Sequence, residues 1–201
     1  MKKLLLLLLA FITLSVNAQE HLLFKGVPIN GDIRTFLVNL VNNVEGISAT
    51  EPTPGSTVEV GTCVYGDEEV PFIVSCSPIT QTVFSVVVVV EAGENWHLLK
   101  DVYNTYKTSM IEAYKDQAVQ AIDSAEEFFS PYEEGDTYEK HAFKEGKAVY
   151  GTVFTFAEGE IGVTISYVAD SDSLVVGLSY VDYANNQVNE KEITASLSQD
   201  F

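Results

Sequence analysis

Alternating hydrophobic and polar positions predict six β-strands in this chain. One of them contains five consecutive valines at 86–90, a composition typical of a strand covered on both faces. The strands fall into two groups of three with short connections, so each group is predicted to form an antiparallel meander. The predicted strands are 57–65, 70–77, 82–91, 148–156, 160–168 and 173–182.

Two further segments have hydrophobic residues at helical spacing. The first follows Asp32, a residue suited to cap a helix, and its hydrophobic stripe runs from Ile33 to Val41. The second follows Asn95, which is predicted to cap it, and its stripe runs from Trp96 to about Lys115. A shorter inserted helix is predicted over 117–130, and the polar residues 184–201 are predicted to include a short terminal helix.

The two groups of strands resemble each other. Residues 60–64 (VGTCV) match residues 150–154 (YGTVF), and the hydrophobic positions of the next two strands also align. A repeat of this length is a complete supersecondary unit. We therefore predict an α+β fold in which tandem α-βββ repeats, about 30–92 and about 94–183, form one antiparallel sheet with helices packed on one face.

The hydrophobic positions also predict the register of the hairpins, because a slip of one residue would turn a strand over. Val64 is expected opposite Phe72, and Phe154 opposite Val163, on the face that the helices cover. The other face is then hydrophobic too. The inserted helix or the N-terminal segment could cover it, or it could bind a protein partner or a second copy. The candidate interaction face is Tyr65, Ile73, Phe84, Val86 and Val88.

The first 18 residues have the pattern of a secretory signal peptide. Lys2 and Lys3 precede an apolar run too short to span a bilayer, and Val16-Asn17-Ala18 forms a cleavage site. The prediction is an exported protein, periplasmic or extracellular, with no membrane span after cleavage. Residues 19–201 are then expected to form a single domain.

The chain is strongly acidic, with 29 Asp and Glu against 11 Lys and Arg and a formal net charge of −18. Removal of Lys2 and Lys3 with the signal peptide makes the mature chain more negative still. Such a charge disfavours binding to nucleic acid or to an anionic membrane surface.

The chain has two cysteines, Cys63 and Cys76. Export to an oxidising compartment would favour a disulfide between them. The predicted register instead places them on opposite faces of the sheet, where their sulfur atoms could not meet. We therefore expect two free thiols.

No catalytic, cofactor-binding or metal-ligating motif is present. His21, His97 and His141 lack the spacing of paired metal ligands, and nucleophile-elbow, phosphate-loop and dinucleotide signatures are missing. Acidic clusters at 67–69, 126–127, 133–136 and 170–172 could supply a carboxylate pair for glycoside hydrolysis or oxygen ligands for calcium.

These observations favour a non-enzymatic binding or protein-interaction module without a cofactor. The alternative is a hydrolase, acting on carbohydrate or peptide, whose acidic pair is assembled in space.

Several stretches resemble a family of small secreted proteins from Bacteroides-type bacteria. They are 21–31 (HLLFKGVPING), the helix around Trp96 and Tyr103, 159–165 (GEIGVTI) and 180–185 (YVDYAN). The resemblance implies an exported bacterial protein and carries no catalytic residue over. The layout is also similar to that of β-lactamase inhibitory proteins, which bind an enzyme through the open face of a sheet; a shared architecture alone does not transfer a function.

Expression with the native leader tests the export prediction. We expect the exported protein to begin at Gln19, because small residues flank the cleavage site after the apolar run. N-terminal sequencing of material from the periplasm and medium measures this, and a product that stays in the membrane with Met1 would contradict it.

Overall fold

Residues 20–118, 120–125 and 136–198 are described by the computed structural model. The predicted signal peptide and part of the predicted insert lie outside these ranges. The described residues form ten strands and four helices: β1 (Leu23–Phe24), β2 (Val27–Pro28), α1 (Ile33–Asn43), β3 (Ile47–Ala49), β4 (Val58–Tyr65), β5 (Glu68–Cys76), β6 (Val83–Gly93), α2 (Trp96–Tyr114), β7 (Gln120–Ala125), α3 (Asp136–Lys144), β8 (Tyr150–Thr155), β9 (Gly159–Val168), β10 (Ser173–Asp182) and α4 (Tyr183–Leu197).

Eight of these strands form one antiparallel sheet in the order β3-β4-β5-β6-β10-β9-β8-β7, and β1 pairs with β2 in a separate hairpin. β6 and β10 form the central pair, which runs from Ser85 opposite Val181 to Gly93 opposite Leu174. The α+β class and the six predicted strands are therefore confirmed. The internal repeat stays a prediction.

Helices α1, α2 and α3 cover one face of the sheet, which we call the inner face. Along α2, the Trp96 ring lies edge-on to Tyr150 at 5.1 Å, and the Tyr114 ring lies 5.6 Å from Phe154. Phe36 of α1 and Phe143 of α3 belong to the same hydrophobic cluster. These contacts explain the helical stripes, since each stripe is the side of a helix that meets the inner face.

The predicted N-caps of the first two helices are confirmed. The side chain of Asp32 accepts a hydrogen bond from the Thr35 amide, and that of Asn95 accepts one from the Leu98 amide. The polar helix α4 lies at one end of the sheet. There the Asn185 side chain donates to the carbonyl of Val83, the first residue of β6.

The predicted register of the first hairpin was wrong. Val64 lies opposite Glu69, and Phe72 lies opposite Gly61. The reason is a two-residue turn between Tyr65 and Glu68, in which Gly66 has a φ of 63° that favours glycine. This turn displaces the pairing by an odd number of residues and therefore exchanges the two faces of β4.

Gly61 fits this register, because the Phe72 ring crosses its backbone. A Cβ atom at Gly61 would lie 2.5 Å from that ring and 2.6 Å from the Ser48 carbonyl oxygen. Val60 and Val64, predicted in the core, are instead 55% and 40% exposed.

The predicted register of the second hairpin was displaced along the strands, but its side chains lie on the predicted faces. Phe154 pairs with Ile161 and not with Val163, a displacement of two residues that leaves each side chain on its predicted face. Phe154, Val163 and Ile165 are all buried on the inner face, as expected. Ile165 also lies beside Val176 as predicted.

The inserted helix predicted over 117–130 was also wrong where the structure describes it. Residues Gln120–Ala125 form strand β7, which pairs with β8 from Gln120 opposite Thr155 to Ala125 opposite Tyr150. The free backbone edge of β8 provides hydrogen bonds that a sequence pattern does not report, and this tertiary pairing outweighs helical propensity. Helix α3 lies between β7 and β8, in a segment for which the sequence pattern predicted no helix.

Both cysteines are free and buried, as predicted, but the predicted reason was wrong. Cys63 faces inward opposite Val70 of β5. Cys76 lies further along β5 and is buried on the same inward-facing side as Val70. At ~3.3 Å per residue, about 20 Å of strand separates Val70 from Cys76. Distance along the strand, and not opposite orientation, keeps the two thiols apart.

Phe72→Ala and Phe154→Ala should each lower the free energy of unfolding by about 3–5 kcal/mol, because each empties a fully buried phenylalanine site. Val60→Ala is the control. It truncates a half-exposed side chain and should change stability by less than about 1 kcal/mol. Denaturant midpoints measure all three, and a loss below about 1 kcal/mol for both phenylalanine variants would contradict the inner face described here.

Candidate interaction surface

The face of the sheet opposite the three covering helices is the candidate site, and we call it the outer face. It consists of the alternate positions of β4, β5, β6, β8, β9 and β10 that point away from the core. Small polar residues and glycines, such as Thr62, Thr164 and Gly162, lie between its aliphatic residues. Those aliphatic residues are Val58, Val60, Val64, Ile73, Val87, Val89, Val153, Val168, Val175 and Val181.

The outer face is open to solvent along β4. Val58, Val60 and Val64 are 49%, 55% and 40% exposed, and the aliphatic residues of the central strands are half-buried. Isolated exposed valines are common on protein surfaces, but a row of them on one strand beside further valines is not. At one corner, the Tyr183 hydroxyl donates to Glu160 at 3.3 Å. Among the described residues, α4 reaches this end of the sheet, and α1, α2 and α3 pack on the inner face.

Two glutamates mark opposite ends of the outer face. Glu69 begins the outer positions of β5, and Glu160 begins those of β9. The Thr62 hydroxyl donates to Glu69 at 2.6 Å. Neither carboxylate forms an ion pair with a residue in the described part of the chain, so both present unneutralised negative charge.

The structure separates the residues of the predicted interaction face. Ile73 does lie on the outer face, and Phe84 lies beside an irregularity of the β5–β6 pairing and is half-buried. Val86 and Val88 are fully buried on the inner face. The Tyr65 hydroxyl also points inward and shares a 2.7 Å hydrogen bond with Tyr180. The register error of the first hairpin explains Tyr65, and the tight Tyr-Gly-Asp-Glu turn at 65–68 was the signal that could have corrected it. Val86 and Val88 lie on β6, where pairing with β5 and β10 determines which valines of the run point inward.

His21 and Asp182 form the one His–carboxylate contact, among the described residues, in which the carboxylate is fully buried, and it could be taken for a catalytic dyad. The Nδ1 of His21 lies 3.0 Å from Oδ2 of Asp182. The same Oδ2 accepts the Leu22 amide at 2.9 Å, and Oδ1 accepts the Asn185 amide at 2.9 Å. This carboxylate holds the N-terminal segment, the end of β10 and the start of α4 together, which is a structural role.

A groove of about 690 Å³ adjoins this contact, and its lining includes Glu20, His21, Tyr114, Phe156 and Glu158. Catalysis by a nucleophile–histidine–carboxylate triad there would need a hydroxyl or thiol nucleophile beside the histidine. The lining residues include no serine, threonine or cysteine. The groove therefore provides an apolar and acidic depression without a triad.

The tyrosines and thiols of the core are unsuited to act as bases or nucleophiles at neutral pH. Burial raises the pKa of Tyr65 to about 12 and that of Cys76 to about 11. Burial also raises the pKa of Tyr180 and of Cys63. A buried thiol with a raised pKa behaves as a small hydrophobic residue.

The acidic turn at 170–172 is occupied by structural contacts. The Tyr167 hydroxyl donates to Asp172 at 2.7 Å, and Lys140 lies 3.0 Å from the other oxygen. These partners lower the pKa of Asp172 to about 2. No cluster of three or more His, Cys, Asp or Glu residues suited to a metal ion occurs in the described ranges. The acidic positions at 126–127 and 133–135 lie outside those ranges.

Comparisons with protein families, with curated proteins and with solved structures found no match to this chain. The predicted resemblance to a family of small secreted bacterial proteins therefore stays a prediction. Within the described residues, no helix has both the length and the apolar character that crossing a membrane requires.

Asp182→Ala tests the structural role of the buried carboxylate. The substitution removes the N-cap of α4 and leaves the buried Leu22 amide without an acceptor, so we expect a loss of about 2–4 kcal/mol in the free energy of unfolding. Asp32→Ala is the matched control. It removes an exposed N-cap and should lose about 1 kcal/mol. Chemical denaturation compares the two, and equal losses would contradict the role assigned to Asp182.

Proposed function

We propose that this chain is an exported, non-enzymatic binding module that holds a protein partner on the outer face of its sheet. The observation that carries the proposal is the row of half-exposed valines on β4, continuous with the half-buried valines of the central strands. Contact with a partner would remove this hydrophobic surface from water, which is the main favourable contribution to most protein associations.

The size of the outer face supports the proposal. Six adjacent strands at ~4.8 Å spacing are about 29 Å across, and six residues of strand at ~3.3 Å each are about 20 Å long. A typical stable interface buries about 800 Å² of accessible surface on each partner. Because side chains project from the sheet, the accessible surface area of a patch with these dimensions is of the same order as that of a typical interface.

The chemistry of the face also supports binding over catalysis. Its side chains are mostly valine, threonine and serine, with carboxylates only near the ends of strands. A rigid sheet with β-branched side chains loses little conformational entropy on association, because these side chains have few rotamers. The hydrolase alternative has less support: the carboxylates of Asp172 and Asp182 are engaged in structural contacts, which leaves Glu20 and Glu158 in the groove beside His21 as its acidic pair.

Export is part of the proposal. The signal-peptide pattern of residues 1–18 favours the periplasm or the extracellular medium, and the acidic composition favours a partner that is neither nucleic acid nor an anionic membrane.

A paired set of variants tests the function. The mature protein, Val58→Gln/Val60→Gln, and Leu98→Gln/Ile111→Gln are immobilised and exposed to periplasmic and secreted fractions of the producing bacterium. Leu98 and Ile111 are 48% and 43% exposed on α2 and match the valines in exposure. Quantitative mass spectrometry compares the retained proteins. We expect the outer-face variant to lose about tenfold or more of one partner, because each glutamine would place an unpaired amide in a hydrophobic contact, at a cost of about 1–3 kcal/mol.

Circular dichroism confirms that each variant is folded before the comparison is made. A partner retained equally by both double variants would contradict binding through the outer face. Hydrolysis of chromogenic glycosides or peptides by the wild-type protein would favour the hydrolase instead.

A further inference from the structure

Positive charge is missing from the strands of the sheet. None of its eight described strands contains a lysine or an arginine, whereas Glu59, Glu68, Glu69, Glu91 and Glu160 all lie on strands. Every lysine and arginine after the predicted signal peptide lies in a helix or a connection. They are Lys25, Arg34, Lys100, Lys107, Lys115, Lys140, Lys144, Lys147 and Lys191.

Several of these cations are already bound to acidic residues away from the outer face. Lys140 contacts Glu94 at 2.7 Å and Asp172 at 3.0 Å, and Arg34 contacts Glu51 at 2.7 Å. The described part of the chain therefore contributes no ion pair to the carboxylates on the outer face. The helical side of the protein is closer to neutral than the sheet, as α2 shows with Lys100 and Lys107 against Asp101 and Glu112.

We propose that the partner of the outer face is a cationic protein surface, in which lysines or arginines surround a flat aliphatic centre. This inference rests on the proposed function and adds the chemistry of the partner. The valines between β4 and β10 would meet the aliphatic centre, and Glu69 and Glu160 at opposite ends of the face would each meet a cation. Charge complementarity of this kind accelerates encounter and selects among partners.

A second copy of the chain fits this face poorly. A copy placed face to face would bring no lysine or arginine from its outer-face strands to Glu69 or Glu160, since the described strands of the sheet carry no cation. Like charges placed opposite each other across an interface are unfavourable, and the formal charge of −18 adds long-range repulsion between two copies.

A displayed peptide library tests the inference through the chemistry of the ligands that it yields. Disulfide-closed β-hairpins, randomised at eight surface positions, are selected on the mature protein and counter-selected on Val58→Gln/Val60→Gln. Counter-selection removes hairpins that bind elsewhere. Among the remaining hairpins, we expect lysine and arginine to be enriched at least threefold over the input library.

Charge-reversal variants then separate local from overall electrostatics. Glu69→Lys/Glu160→Lys should weaken the selected hairpins at least tenfold, measured by fluorescence anisotropy. Asp101→Lys/Glu112→Lys changes the net charge equally on α2 and should change their affinity less than threefold. Between about 50 and 300 mM salt the affinity should also fall, because ion pairs at a surface are screened.

Each other outcome overturns the inference in a recognisable way. Outer-face hairpins without enriched lysine and arginine would refute a cationic partner while leaving the proposed binding function intact. A selection that yields no hairpin specific for the outer face would contradict both. Equal weakening of hairpin binding by the two charge-reversal variants would show that net charge alone determines the affinity. It would refute specific contacts at Glu69 and Glu160. A dimer seen by sedimentation and lost in Val60→Lys would identify a second copy as the occupant.

Discussion

The antiparallel pairing of β6 with β10 is the contact on which the rest of the structure depends. On each side of this pair lie three further strands, and the sheet would be divided into two four-stranded pieces without it. Val86 and Val88 on β6 lie opposite Tyr180 and Leu178 on β10, and all four are buried. Since their side chains project to one side, this pair also determines which face the helices must cover.

Because the helices cover only the inner face of the sheet, the residues of the outer face must suit partial exposure to water. The outer positions of the central strands are mainly valine, serine, threonine and glycine, which tolerate partial exposure better than the phenylalanine and tyrosine of the inner face. The sheet is broad, and the described helices α1, α2 and α3 all join the inner cluster. The outer face is therefore a broad open surface that needs no added loop or cleft.

Sequence patterns predicted the helices and strands of this fold better than they predicted the register between the strands. Strand and helix positions follow from local periodicity, and the caps Asp32 and Asn95 follow from residue type, so both were accessible. Register depends on turn conformation, and in the first hairpin a turn through Gly66 exchanged the faces of β4. This exchange placed Tyr65 on the wrong face, whereas Val86 and Val88 were misplaced because a run of valines does not show which of its members point inward.

Long-range contacts were inaccessible for a different reason. β7 forms by pairing with the backbone edge of β8. Asp182 is buried because three distant segments of the chain meet there. Neither contact can be predicted from the residues within a short window of sequence. A valine run such as 86–90 is equally uninformative, since uniform hydrophobicity hides which residues point inward.

The bonds from His21 and Leu22 to Asp182 impose an order of events on folding. The first described residues of the chain contact a carboxylate 161 residues away, at the end of the last strand. They cannot reach their native position until β10 has been synthesised and paired with β6. Contacts of such large sequence separation slow folding, because the connecting chain must close before they form. Under the proposed export, the chain would therefore remain incompletely folded until nearly all of it had crossed the membrane.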